Sequence, residues 1–303
     1  MVAAARTLKS ILLIGVLRLL AQLPLGMVRA LGATVGYFSW LAGSRMAVTT
    51  RQNLAICYPN MSESERLLLG KNSIIETFKT IMESGPSWLW APEKVLERVV
   101  EVEGLALLQD AVAAGNGVVV IAPHFGNWEI FGMYLNNCGC GPSSQLYQAP
   151  RDAGLDRLIY QARSRSGAHM VATNNKGVIA LLKALKRGEI VGILPDQVPP
   201  ASGGEFAPFF GKPALTMTLV PRLLHKTGAR ALTGFAVRTN RGGRAGWKVV
   251  FQEAPPGIYA EHMPTGVRAL NQAVEGAIAV SPDQYQWNYK RFKRVPPGAE
   301  RPY

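Results

Sequence analysis

Two short apolar runs constrain the fold of this chain more than any other feature, one in a strand expected over Gly117–Ala122 (Val118-Val119-Val120-Ile121-Ala122) and one in a strand expected over Glu189–Leu194 (Ile190-Val191-Gly192-Ile193-Leu194). A strand with one wet face alternates apolar and polar residues; these runs do not alternate, so both faces of each must be covered. Helical patterns surround them. Ser62-Glu63-Ser64-Glu65 places acids in the first turn of a helix that continues through Leu67, Ile74, Ile75, Phe78 and Met82, and Gly85-Pro86 is expected to end it. The spacing predicts further helices from about Trp128 and over residues 152–166, 177–186, 215–226 and 265–280, with strands near 231–238 and 247–252. Continuous strands alternating with helices predict an α/β fold: a buried mixed sheet flanked by helices.

The amino-terminal part is constrained by charge instead. From Met1 to Ser62 there is no Asp or Glu, while Arg6, Lys9, Arg18, Arg29, Arg45 and Arg51 supply six cations among long apolar runs. Residues 11–28 form an eighteen-residue run, close to the ~20 residues of a spanning helix, but Arg18 sits inside it and Pro24 interrupts it. A central arginine costs ~2.5–3.5 kcal/mol on insertion. A spanning anchor and an interfacial helix or hairpin both stay open, with a buried core helix as a third reading. Residues 1–45 are therefore expected to be a hydrophobic membrane anchor, and residues 46–303 a single α/β domain. Arg18 also argues against a cleaved signal peptide, and basic flanks without acids favour the cytoplasmic face of a membrane.

Only 17% of residues are charged and 48% are hydrophobic, which argues against disorder and coiled coil. Thirty-three Lys and Arg against twenty Asp and Glu leave +13, a field that attracts anionic lipid, phosphorylated substrates, an acidic carrier protein or nucleic acid. The cations are scattered among apolar blocks with no aromatic–basic motif, so nucleic acid is not expected as a partner. Cys57, Cys138 and Cys140 make neither a complete disulfide set nor a metal-binding spacing, which fits a reducing compartment and no metal site.

The chemistry concentrates in His124-Phe125-Gly126-Asn127-Trp128-Glu129, directly after the first apolar run and before a helix. The carboxyl ends of buried strands are where open α/β sheets hold their ligands. If Gly126 or Asn127 caps the helix, Glu129 falls in its first turn and can reach back to His124, fixing its tautomer and stabilising the imidazolium. The bland alternative is a turn histidine bonded to backbone. Motifs for a serine nucleophile, a zinc site, a dinucleotide or a phosphate loop are missing; Gly204 to Lys212 only imitates the last. A base without a protein nucleophile suits deprotonation of a substrate hydroxyl that attacks an already activated acyl group.

The hexamer resembles the signature of the lipid A biosynthesis acyltransferases, the lauroyl/myristoyl transferases of Gram-negative inner membranes. Further blocks agree in order: Leu155-Asp156-Arg157-Leu158, Arg163-Ser164-Arg165-Ser166-Gly167, the stretch from Gly188 through Pro195-Asp196-Gln197, Pro208-Phe209-Phe210-Gly211, and Gln284-Tyr285-Gln286-Trp287-Asn288-Tyr289-Lys290-Arg291-Phe292-Lys293. Gln148-Ala149-Pro150-Arg151 departs from the family's usual Tyr-Arg-Pro, and Tyr289 stands where His is common; both departures bear on the acceptor.

The resemblance implies transfer of a fatty acyl group from acyl-acyl-carrier protein to a hydroxyl of a lipid A precursor. It places the reaction at the cytoplasmic face of the inner membrane, against membrane lipids, with no cofactor beyond the thioester donor. His124 would be the base and Glu129 its orienter. Arg163 is the candidate for the oxyanion, with the amides of Gly126 and Asn127 as the fallback. Asn127, Arg165, Asp196 and Gln197 are candidates for substrate binding, and Arg157 is expected farther away. Residues 198–213 read as a lid or a structural loop, Trp88 and Trp90 as interfacial or core residues, and Lys290, Arg291, Lys293 and Arg294 as a solvated or membrane-facing patch. The rival functions are acylation of another membrane lipid, such as a lysophospholipid, and a non-catalytic basic membrane-surface protein.

Overall fold

The computed structural model describes residues 8–150 and 152–303; the start of the expected anchor, including Arg6, and Arg151 lie outside the described residues. Helices α1 (Leu8–Gln22), α2 (Leu25–Leu41), α3 (Arg45–Cys57), α4 (Glu63–Leu89) and α5 (Pro92–Leu96) come first. There follow β1 (Val99–Glu103), α6 (Leu105–Ala113), β2 (Val118–Ile121), α7 (Trp128–Asn137), β3 (Ser143–Tyr147), α8 (Ala153–Arg165), β4 (His169–Ala172), α9 (Asn175–Lys186) and β5 (Ile190–Ile193). The hairpin β6 (Gly204–Phe209) and β7 (Lys212–Met217), then α10 (Leu219–Thr227), the hairpin β8 (Arg230–Arg241) and β9 (Arg244–Glu253), and α11 (Met263–Val280) complete the order.

Among the described residues, seven strands form one mixed sheet in the order β1-β9-β8-β2-β5-β3-β4; β8 and β9 are antiparallel and the other neighbours parallel. The two apolar runs are its centre, paired from Val118 with Ile190 to Ile121 with Ile193, and wholly buried. Val119, Ile121, Val191 and Ile193 face a layer that includes Leu181 and Leu185 of α9, Leu224 of α10 and Leu270 and Val274 of α11. Val118, Val120 and Ile190 face Leu108 of α6 and Ile130, Phe131 and Leu135 of α7. Each fully buried side chain of this size contributes about 1.5–3 kcal/mol, which is why a strand covered on both sides tolerates no alternation.

The membrane-spanning anchor is overturned. The apolar run breaks at Pro24, which ends α1 and precedes α2, and among the described residues no helix is long and apolar enough to cross a membrane. The two helices pack on α4 instead. Gly32 and Gly36 let α2 approach closely, since a Cβ there would lie 2.7 Å from the Cα atoms of Lys79 and Ile75. Away from α4, Leu12, Val16 and Leu19 of α1 and Met27, Leu31 and Phe38 of α2 are exposed.

Two helix boundaries and one loop also differ. The helix starts where the first-turn acids predict, with Ser62 and Glu65 capping each other, but it passes through Gly85-Pro86 to Leu89. Its Gly85 face is packed against α1, where a Cβ would sit 2.6 Å from the Leu17 carbonyl oxygen, and that packing outweighs the hydrogen bond Pro86 cannot donate. Leu215 belongs to β7, so the helix expected from there starts at Leu219. The suspected lid contains a ladder from Gly204 paired with Met217 to Phe209 paired with Lys212; Phe209 and Ala214 are buried, and Asn271 of α11 donates to the Pro208 carbonyl at 2.9 Å. It is a packed hairpin, not a mobile flap.

A buried ionic cluster ties the amino-terminal helices to the sheet. Glu83 of α4 accepts from Arg29 of α2 at 2.7 Å, from Arg238 of β8 at 3.0 Å and from Asn127 at 2.8 Å. Arg29 also donates to the carbonyls of Gly246 and Thr239 at the ends of β9 and β8. Burial alone would raise the Glu83 carboxyl, but the charges of Arg238 and Arg29 and the donated hydrogen bonds hold it below the usual carboxylate range. Arg29→Ala should destabilise the protein by about 3 kcal/mol, the low end for breaking a buried pair because Arg238 remains. Because the folded carboxyl is lowered, its contribution is present above the ordinary carboxylate range and is lost as pH falls through the lowered value. The stability difference between variant and parent in urea unfolding should therefore narrow in acid.

Candidate active site

The site lies where β2 and β5 end. Ile121 is paired with Ile193 in parallel, His124 follows three residues after the one and Asp196 three after the other, so the register brings the two side chains level. Asp196 Oδ1 lies 2.8 Å from His124 Nδ1, and its other oxygen accepts the His124 backbone N–H at 2.9 Å. The imidazole also packs edge-on to Trp128, with centroids 5.1 Å apart. Burial would raise the Asp196 carboxyl; its attraction to the His124 ring and the hydrogen bonds from side chain and backbone hold it low. An ionised, buried carboxylate on Nδ1 keeps the proton there and leaves the Nε2 lone pair as the base. That atom lies 3.2 Å from the Gln197 amide nitrogen.

The loop carrying His124 is framed by β8 and the carboxyl-terminal segment. Gly126 adopts φ +60°, and a Cβ there would lie 2.0 Å from the Ala236 carbonyl oxygen, so only glycine fits the turn. The Gly126 and Asn127 amides donate to Gln284 O and Ala236 O, and Gln286 N donates to His124 O. Both amides proposed as oxyanion donors are thus already engaged, and that expectation falls. Asn127 caps α7 by accepting from Ile130 N at 3.1 Å and turns its amide to Glu83; it is 1% exposed and stands in the wall of a groove beside Trp128 and Glu129.

Glu129 stands in the first turn of α7, as the spacing predicts, yet does not reach His124. Its carboxylate takes both prongs of Arg163 from α8, Nε at 3.0 Å and Nη2 at 2.5 Å. Burial would raise the Glu129 carboxyl, and the Arg163 charge and hydrogen bonds reverse this and hold it low. A bidentate guanidinium satisfies both carboxylate oxygens, which an imidazole cannot do. Asp196 is therefore the orienter of His124, and the His124–Glu129 hydrogen bond expected from the spacing is replaced. The signal for Asp196 was in the sequence: it stands as far past its apolar run as His124 does past its own.

A sequence model of the bacterial lipid A biosynthesis acyltransferases matches residues 2–294. The chain belongs to this family. It is 30% identical over 301 residues to the lipid A biosynthesis lauroyltransferase of Escherichia coli K12, covering 96% of this chain and 93% of that one. Identity to the lipid A biosynthesis palmitoleoyltransferase of the same organism is 30% over 296 residues, with 96% and 92% covered. The E. coli lipid A biosynthesis myristoyltransferase is 24% identical over 273 residues, with 89% and 82% covered. The protein is accordingly an acyltransferase.

In this lipid A biosynthesis acyltransferase two grooves share the wall made by Ser87, Trp88, Trp128 and Glu129. One is a narrow groove between α7 and α8, lined by Gly132, Met133, Leu146, Ala162, Arg163 and Leu194. The other, roomier one is lined by Thr77, Thr80, Ile81, Gln284, Gln286 and Asn288. Arg165 does not join them: it donates to the Trp88 and Trp90 carbonyls at 2.8 and 3.3 Å, bracing α8 on the end of α4. Arg157 is exposed. Arg291, read as part of a surface patch, is 3% exposed and donates to Leu215 O and Thr216 Oγ1, while Lys290 and Lys293 remain outside over Tyr303 and Tyr289. Trp90 is buried and donates to the Ala21 carbonyl.

Asp196→Asn should lower turnover by roughly 10²–10⁴-fold, the scale of general-base catalysis that depends on the right tautomer. It should also shift the imidazole NδH proton resonance, whereas Glu129→Gln should leave that resonance in place. A resonance that follows Glu129 and ignores Asp196 would refute the assignment.

Proposed function

We propose that this acyltransferase moves a fatty acyl chain from acyl-acyl-carrier protein to a hydroxyl of a lipid A precursor, without a covalent acyl-enzyme. The observation that carries the reading is the buried Asp196 on Nδ1 of His124, which leaves Nε2 as base in a member of this family. The acceptor hydroxyl gives its proton to Nε2 as its oxygen attacks the thioester carbonyl, and Asp196 stabilises the imidazolium. Pairing with Glu129 engages two of the five guanidinium N–H groups of Arg163, so three remain for the oxyanion. Glu129 is a positioning residue for that guanidinium. The apolar lining at Met133, Leu146, Ala162 and Leu194 suits the acyl chain. A charge of +13 suits an acidic carrier protein and a phosphorylated lipid.

The same reading seats the protein on the cytoplasmic face of the inner membrane. The exposed apolar residues of α1 and α2 lie in a segment with cations and no acids, the chemistry of a helix lying in an anionic interface rather than across it.

With acyl-carrier-protein thioester as donor, transfer should proceed in chelator and without ATP. His124→Ala should lose roughly 10²–10⁴-fold in turnover. Arg163→Ala should lose about 10²–10³-fold, and Arg163→Lys should keep only part of the parental rate because lysine lacks the planar fork. Near-parental turnover by His124→Ala, or an absolute need for ATP or a divalent ion, would overturn the mechanism. Separately, Leu19→Glu with Phe38→Glu should weaken flotation with anionic phospholipid vesicles while thermal unfolding is preserved; unchanged flotation would place the membrane contact elsewhere.

A further inference from the structure

The base of this site is already occupied by the protein itself. With the Nδ1 proton donated to Asp196, Nε2 is an acceptor, and the group 3.2 Å from it is the Gln197 amide nitrogen, a donor. The backbone on both sides of that residue is fixed: Asp196 grips the His124 amide, and the Val198 N–H donates to the Tyr289 hydroxyl at 2.9 Å. The Gln197 side chain is only half-buried, so it can rotate away without moving the backbone. We infer that Gln197 caps the Nε2 lone pair until an acceptor hydroxyl displaces it, making the site a transferase rather than a thioester hydrolase.

The argument is one of competition. A water at Nε2 would give its proton to the ring while its oxygen bonds to the thioester carbonyl carbon. The C–S bond would then break, the thiolate would take the proton from the imidazolium, and free fatty acid and thiol would leave. Bulk water must compete with a tethered amide for the lone pair, whereas a hydroxyl held in a groove is itself tethered and competes on better terms. Gln197 is thus a positioning residue acting through His124, and the inference rests on His124 being the base.

The test uses the full chain with acyl-carrier-protein thioester, measuring thiol release without acceptor and acyl transfer with a lipid A precursor. Gln197→Met keeps the length and removes the donor; Gln197→Asn keeps the donor and removes the reach. Both should raise the ratio of hydrolysis to transfer about fivefold, the effect of deleting one neutral hydrogen bond. Adding His124→Ala to either should abolish the extra hydrolysis. Near-parental transfer by His124→Ala alone would sink the base assignment itself. If His124→Ala is inactive yet both variants at 197 keep the parental ratio, the cap is wrong and the base stands. A proportional fall of both activities, or extra hydrolysis that survives loss of His124, would also overturn it.

Discussion

The parallel pairing of β2 with β5 is the constraint on which the site depends. Because Val118 to Ile121 lie opposite Ile190 to Ile193 without a bulge, the two chain exits emerge side by side at the same height. A shift of one residue would turn each strand's apolar set toward the wrong layer, so the hydrophobic core on both faces fixes the register. The same register delivers Asp196 to His124. Burial energy spread over seven side chains thereby sets one hydrogen bond to within tenths of an ångström, and neither loop needs rigidity of its own.

A second constraint is the Glu83 cluster, which joins parts of the chain that no sheet contact connects. One carboxylate meets Arg29 from α2, Arg238 from β8 and the Asn127 amide at the start of α7. Since Asn127 also caps α7, the first turn that carries Trp128 and Glu129 is held from behind by a charge in α4. Removing any one cation leaves a buried anion less compensated, so the amino-terminal helices are coupled to the catalytic loop by electrostatics as well as packing.

Residues that act through period or register were legible in the sequence. The uninterrupted Val and Ile runs announced a sheet covered on both faces, the acids of Ser62-Glu63-Ser64-Glu65 announced the start of α4, and the position of the hexamer announced a site at strand ends. What was not legible was choice of partner. Spacing put Glu129 within reach of His124, but nothing local revealed that Arg163, thirty-four residues away, would take both its oxygens. The basic run near the terminus misled in the same way, because Arg291 is drawn inside by the Leu215 carbonyl and Thr216, acceptors presented by β7 where the spacing predicts the start of a helix. Pro24 was read correctly as an interruption, yet only tertiary packing showed that the two pieces lie along α4.

The shared wall of the two grooves bears on the order of events. A ping-pong enzyme needs one cleft used twice and a side chain to carry the acyl group between visits. Here the wall residues Trp88, Trp128 and Glu129 line both grooves, and the His124 ring packs edge-on against Trp128. Two substrates bound side by side would bring the thioester carbon and the hydroxyl together at this edge, converting a meeting of two lipids into a step inside one complex. The neutral Glu129–Arg163 pair suits that task better than a bare cation would. A free guanidinium in a half-buried wall would bind any phosphate that entered, whereas a paired one is attractive chiefly to the negative charge that develops as the carbonyl is attacked. On the proposed mechanism, selectivity for the transition state over ground-state anions would follow from Glu129 being an ion-pair partner instead of a second base.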